Sequence, residues 1–336
     1  TTTSKLWKGK KMDDWNLSRL LDISVENRPV DYWDKVRARI LSHTDDLLAP
    51  GFSTNAAATT VIEPYRHYTT FQRMCGKEDF PVDLIKLAIK EHPDIVKKLS
   101  RDYTPHPFLV ACAFVNENTI EALLEVYPKA AAVPAPDEMG YPSVLLYVGM
   151  CHKHIKIRGR LSPPRGDLLI QMLDVHPLLK MSDFVVLVRF MSSAWDYVSR
   201  QDQHQQQQRA VIPSHNAAAS AVRDAFFKSL IQVIEHRCRS GDSGSNGYND
   251  NLPLHFILAN KGIVSVLLEF RGQMESIIEY YKDHLLKQND QGETPLYIFV
   301  KHGEAPEGDD NKQQQHQQQS VLSNLLKLAP SAAGIP

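Results

Sequence analysis

Apolar and polar positions recur along this chain in one fixed helical order. Segments starting at Asp83, Asn118, Asp167, Gly262 and Ser320 can be laid over one another. Two positions on, each is apolar: Ile85, Ile120, Leu169, Val264 and Leu322. Five and six positions on come Ala88/Ile89, Leu123/Leu124, Met172/Leu173, Leu267/Leu268 and Leu325/Leu326. Seven on, each is charged: Lys90, Glu125, Asp174, Glu269 and Lys327. Ten on stands Pro93, Pro128, Pro177 or Pro330, with Gly272 in the remaining copy. Positions 2, 5 and 6 share one face of a 3.6-residue helix, and position 7 is turned off it. The pattern predicts five amphipathic helices. Their starts fall on residues that favour helix N-termini, and Asn118 with Glu121 resembles a capping box. The proline marks the stop, because it cannot continue a helix and drives its predecessor toward extended geometry.

Burying three or four such side chains contributes about 1.5–3 kcal/mol each. Ordering the backbone costs about 1–2 kcal/mol per residue. One helix or helix pair therefore cannot stand alone, and the repetition predicts a stacked array with neighbours on both sides.

The spacing from Asp83 to Asn118 recurs from Pro107 to Pro142, and longer intervals separate the later copies. The surplus falls on turn-rich or low-complexity stretches, read as loops near 151–164, 199–219, 239–248 and 304–319. Two of these carry polyglutamine character, Gln205–Gln208 and the Gln/His tract Gln313–Gln319. Ser182–Val198 and Ala219–Arg237 are expected to be the helices of one pair, with Phe226, Leu230, Val233 and Ile234 as the apolar stripe of the second. Residues 1–60 are read as an N-terminal extension with degenerate capping helices around Trp15–Leu21 and Tyr32–Leu48, and 61–336 as the array.

A second motif precedes the helices. Asp290-Gln291-Gly292-Glu293-Thr294-Pro295-Leu296 reads as a turn and a helix start: Gly292 gives the turn, Thr294 caps, and Pro295 takes the first helical position. Asn249–His255 and Asp137–Pro142 repeat it, and Pro107–Cys112 and Thr69–Cys75 are weaker copies. A glycine turn, a T-P-L-H-like start, a short helix and a second helix with a leucine pair, at a period near ~33 residues, resemble ankyrin repeats. Thr294-Pro295-Leu296-Tyr297 and Leu252-Pro253-Leu254-His255 match most closely. The ending of leucine pair, charge, two residues and proline resembles a divergent ankyrin-like variant abundant in some single-celled algae. The chain departs from the pattern where Tyr297, Leu109 or Val144 replaces the motif's histidine, and the G-x-x-A packing signal is absent.

The resemblance implies an all-α fold, an α-solenoid of stacked antiparallel helix pairs. It also implies a protein–protein interaction scaffold, with no catalysis and no cofactor. The partner's identity is not written in the residues. In ankyrin-like arrays the turns and first helices make the binding face. That places the expected partner contacts at Asp137, Glu138, Met139, Asn249, Asp250, Asn289, Gln291 and Glu293 on the turns, and at Arg73, Tyr297 and His302 on first helices. The same resemblance makes His255 structural, bonding across a turn.

The chain has 336 residues, 43% of them hydrophobic, and 38 basic residues against 39 acidic. A net charge of −1 supplies no global attraction to nucleic acid or to an anionic membrane, so a nucleic-acid-associated repeat protein is the weaker alternative. No stretch approaches the ~20 apolar residues of a membrane helix. Cys75, Cys112, Cys151 and Cys238 form no C-x-x-C pair, which points to reduced intracellular surroundings, cytoplasmic or nuclear. Thr1–Lys5 has no apolar signal core and no methionine, so the natural start is expected to lie upstream.

The competing chemistry is thin. Cys151-His152-Lys153-His154 is the seed of an enzyme or metal-site alternative, but the spacing is not a zinc pattern, and loop residues are expected there. Ser162 before Pro163, beside Arg158, Arg160 and Arg165, is a candidate phosphosite. Ser240–Gly247 is glycine-rich but follows a helix rather than a strand, so it reads as a loop and not as a phosphate cradle.

Overall fold

A computed structural model describes residues 16–23, 25–49, 68–96, 106–133, 142–158, 163–175, 179–208, 214–240, 252–270, 272–302, 319, 321–323 and 325–327. Every element of regular structure among them is helical, and no strand is present. The chain divides into two compact units, Thr1–Met150 and Cys151–Pro336.

The first unit holds α1 (Leu17–Leu21), α2 (Tyr32–Ser42), α3 (Thr70–Gly76), α4 (Val82–Glu91), α5 (Pro107–Ala113) and α6 (Glu117–Val126). The long α7 (Ser143–Arg158) begins in it. Helix α3 packs against α1 and α5, while α4 packs against α2 and α6. The buried columns explain this. Ile85, Ala88 and Ile89 of α4 and Ile120, Leu123 and Leu124 of α6 are buried, whereas Lys90 and Glu125 are exposed. A fourth column, immediately after each start, is buried too. It holds Leu84, Thr119, Leu168, Ile263 and Val321, and its one threonine hid it in the sequence.

The prolines act as expected in both copies where they are described. Helix α4 ends at His92 (φ −135°, ψ 75°) and a 3-10 turn runs from Pro93 to Val96. Helix α6 ends at Tyr127 (φ −139°, ψ 76°) and a 3-10 turn runs from Pro128 to Ala132. Helix α2 closes the same way, through His43 (φ −139°, ψ 67°) into Thr44–Leu47. It is a further copy of the pattern, in a stretch read from sequence only as a degenerate cap. Thr44 stands where the others have proline, so the turn does not depend on that ring.

The capping assignments shift by two residues. Asn118 is not a cap: Asn116 is, accepting from the Thr119 N–H at 3.4 Å. Gly262 lies inside its helix, and Asn260 caps it by accepting from the Ile263 N–H at 3.2 Å. Asn116 does more. Its Nδ2 donates to the carbonyls of Lys77 (2.9 Å) and Cys75 (3.3 Å), so one buried amide ties α6 to the end of α3. Val115 just before it takes φ +55°, a left-handed conformation that β-branched residues seldom adopt. The strain is held by two bonds: Val115 N–H donates to the Cys112 carbonyl, and Asn116 N–H to the Ala111 carbonyl. Together they close α5 as a Schellman motif.

The second unit holds α8 (Gly166–Val175), α9 (Met181–Gln208), α10 (Ser214–Arg239), α11 (Pro253–Ala259), α12 (Lys261–Glu269), α13 (Gln273–Tyr280) and α14 (Pro295–His302). Helices α9 and α10 pack along each other, α8 lies on α10, α12 lies on α9, and α11 packs against α14. The expected stripe of α10 is buried at Phe226, Leu230, Val233 and Ile234, with Phe226 joining Ile155, Ala194 and Val198 in one cluster.

Two expected loops, 151–164 and 199–219, are partly helix. Residues 151–158 continue α7, residues 199–208 continue α9, and α10 already begins at Ser214. Helix α13 was not foreseen. Gly272 does not end α12 as the prolines end α4 and α6; at φ +80° it caps α13, which buries Met274, Ile277 and Ile278.

Candidate partner-binding turn

The turn before α14 separates the expected contact residues that are exposed from those that are buried. Its frame is Asn289, which uses its whole amide. Oδ1 accepts from the backbone N–H of Glu293 (2.7 Å) and of Gln291 (3.1 Å), and Nδ2 donates to Glu293 Oε2 (3.2 Å). The backbone closes the turn through Asn289 N–H to the Glu293 carbonyl and Gly292 N–H to the Asn289 carbonyl, both 2.9 Å. Gly292 sits at φ +76°, where a Cβ would be strained, so the expected turn role holds. Thr294 Oγ1 accepts from the Tyr297 N–H at 3.3 Å, and Pro295 opens α14, again as the residues implied.

Two neighbours brace this frame. His255 Nε2 donates to the Glu293 carbonyl at 3.1 Å from a buried ring on α11, the structural role the resemblance implied. Lys301 Nζ meets Glu293 Oε1 at 2.6 Å. Asn289 and Glu293 are therefore not contact residues: at 7% and 8% exposure, they are the turn's skeleton. Gln291, together with Asp290, remains exposed at the tip. Tyr297 is also exposed, with Lys301 Nζ 5.8 Å from its ring centre.

Arg73 is corrected as well. Its guanidinium turns inward to Ser18 Oγ (2.7 Å) and to the Asp22 carboxylate, tying α3 to α1. Lys77 reinforces the tie through the Leu21 carbonyl. Burial holds its ammonium below the usual lysine range, against the pull of Asp79. His302 ends α14, and its side chain is outside the described residues. So are Asp137, Glu138, Met139, Asn249, Asp250 and Ser162.

The Cys151/His152/His154 cluster lies on helix α7, not in a loop. Cys151 is buried, and His152 meets Ser193 Oγ of α9 at 3.0 Å with its ring tilted against Phe190. Among the described residues no group of three His, Cys, Asp or Glu converges to hold a metal ion. No helix among them is long and apolar enough to cross a membrane. Burial pushes the Cys75 thiol far up, and the Cys238 thiol up to about 12, with Glu235 adding to it; both stay thiols near neutral pH.

Compared with protein-family models, with curated proteins and with solved structures, the chain matches none.

Proposed function

We propose that this chain is a protein–protein interaction scaffold of ankyrin-like repeats, an α-solenoid of stacked antiparallel helix pairs with no catalysis of its own. The carrying observation is the hydrogen bond from His255 to the Glu293 carbonyl. A first helix of one pair braces the turn that opens the next, which is the arrangement an ankyrin-like array uses to hold its binding turns stiff. The alternation of contacts, α1 with α3 with α5 and α2 with α4 with α6, supports the same reading.

In this scheme Asn289, Glu293, His255 and Lys301 hold the turn, and Asp290 and Gln291 meet the partner, another protein. A pre-stiffened turn loses little conformational entropy on binding, which is how a short polar loop becomes a useful contact. The compartment follows from the reading: an intracellular partner for a chain whose cysteines are free. The test is capture of partners from native extract by the wild-type chain and by an Asp290→Lys/Gln291→Lys variant. Both positions are exposed, so the fold is expected to survive and the bound proteins to be lost. An unchanged set of captured proteins removes the assignment to this turn.

A further inference from the structure

Where α13 begins against α9, two buried side chains meet and each keeps a polar atom that the protein does not satisfy. Gln273 opens α13 behind the left-handed Gly272 and is fully buried. Its Nε2 donates to the Ser192 carbonyl of α9 at 2.7 Å. A carbonyl only accepts, so the amide cannot be turned the other way round, and Oε1 is fixed as the end left over. That oxygen has no hydrogen-bond partner within the protein. Ser192 is fully buried as well, and its Oγ has no partner either.

Other serines show what Ser192 forgoes. Ser42, Ser199, Ser240 and Ser276 each donate to the carbonyl one helical turn earlier, at 2.8–2.9 Å, the usual refuge of a helix hydroxyl. The buried Ser143 and Ser229 donate to carbonyls of other segments, Ala131 and Pro164. The Ser192 hydroxyl does neither. The buried amides of Asn116 and Asn289 are used at both ends, whereas that of Gln273 is used at one. A buried polar atom left unmet forfeits the hydrogen bonds it had in water, so a partner is called for.

Trp195 stands three residues beyond Ser192 on the same face of α9, and its Nε1 is also buried and unpartnered. The three groups are complementary to one molecule. An indole N–H only donates, an amide oxygen only accepts, and a hydroxyl does both. An ion would find no counter-charge among them. Water accepts and donates at once, and a buried water ordinarily makes about three hydrogen bonds to such groups. We propose that one buried water bridges Ser192 Oγ and Gln273 Oε1, with Trp195 Nε1 as its third partner, and ties the start of α13 to α9. The inference does not rest on the repeat reading. It bears on the turn before α14, because α13 and the 3-10 turn Lys282–His284 are the segment that leads from this seam to Asn289.

A crystal structure of the 336-residue chain that resolves ordered water tests the proposal directly. The expected result is a water within about 3.2 Å of both Ser192 Oγ and Gln273 Oε1. Either atom without that water, or the two bonded to each other, overturns it. Urea unfolding reads the same site in solution through Ser192→Ala, Gln273→Met and the double variant. Each single change should lower the midpoint, and the double should lower it by less than the sum, because both remove one shared water. The bond from Gln273 to the Ser192 carbonyl is available with serine or alanine at 192, so it cancels in that comparison. Losses that add, or a midpoint raised by Ser192→Ala as for a hydroxyl with nothing to bond, overturn the shared water. Ellman's reagent reports whether a variant keeps its fold, because Cys151 is buried. Should Gln273→Met expose that thiol, the wild-type crystal structure and the sign of the Ser192→Ala shift decide.

Discussion

Helices α6 and α9 carry the same kind of buried stripe, yet α6 has 10 residues and α9 has 28. In α6 the stripe Ile120, Leu123 and Leu124 is followed at once by Tyr127-Pro128, which turns the chain into a 3-10 turn. In α9 the stripe Phe184, Leu187, Val188 and Met191 runs on to Ala194 and Val198. No proline stands between Met181 and Gln208, and the ten residues after Val198 are Ser199, Arg200, Asp202, His204 and six glutamines, most of them good helix formers. The helix therefore outlasts its apolar face. The apolar spacing decides which side is buried. Separate stop signals decide how long the helix is.

Deleting core volume should perturb both regions most. Leu123→Ala in α6 and Leu187→Ala in α9 remove fully buried side chains and are each expected to cost about 2–5 kcal/mol in urea unfolding. If the α9 change costs nothing, the two stripes are not equivalent and the comparison fails.

The two capping asparagines give the next effect. Asn260→Ala removes a cap and should cost about 1 kcal/mol. Asn116→Ala removes the same cap and also strands two carbonyls of the α3 end, so about 2–3 kcal/mol is expected. Equal losses would mean that the cross-helix bonds add no stability.

A pH dependence separates two histidines. His106 is buried at the start of α5, where Nδ1 accepts from the Phe108 N–H at 3.2 Å. Burial lowers its pKa below the ordinary 6.5, against a smaller opposing pull from the Val96 backbone. Burial lowers His236 on α10 as well, but Asp174 at 3.5 Å counters it. A depressed histidine takes up its proton in the unfolded chain first. Stability is therefore fully present above about pH 6.5 and falls as the pH drops below it. Thermal unfolding at pH 7.5 and 5.5 should show this slope. His106→Asn, which can still cap, should flatten it more than His236→Asn.

The smallest effect concerns the stop itself. Pro93→Thr copies the Thr44 of α2 and should keep the 3-10 turn, at a cost of about 0.4–1 kcal/mol from the looser unfolded chain. Exchange of the Ile95 amide, which donates to the His92 carbonyl at 3.0 Å, reports whether the turn survives. Its loss would make proline indispensable and α2 a different device.

Much of the fold was legible because its signals are local. Apolar residues at fixed offsets predict a buried face, proline predicts an end, and the Gly292-Glu293-Thr294-Pro295 run predicts a turn followed by a capped start. What stayed hidden is instructive by position. Helix α2 was legible only as a degenerate cap, not as a copy of the pattern, because Arg39 and Thr44 replace an apolar residue and a proline. The caps were placed two residues late because Asp83 and Asn118 are also acceptable cap residues, and only backbone geometry separates them from Pro81 and Asn116. At the candidate site Gln291 is exposed, whereas Asn289 and Glu293 are buried in the turn's frame. Asn289, Glu293 and Arg73 look like surface chemistry and are spent inside the molecule.

From its residues alone the chain determined the helical period, the faces to be buried, the stops after α4 and α6, and the turn that Gly292 makes. Those follow from covalent geometry and from water's rejection of apolar side chains, which act on neighbours in sequence. The tertiary structure alone decided that His255 braces the Glu293 carbonyl, that Asn116 bridges two helices, and which polar side chains of the turn stay exposed. Such outcomes depend on what another helix brings within hydrogen-bonding reach, and no spacing along one strand of sequence encodes that distance.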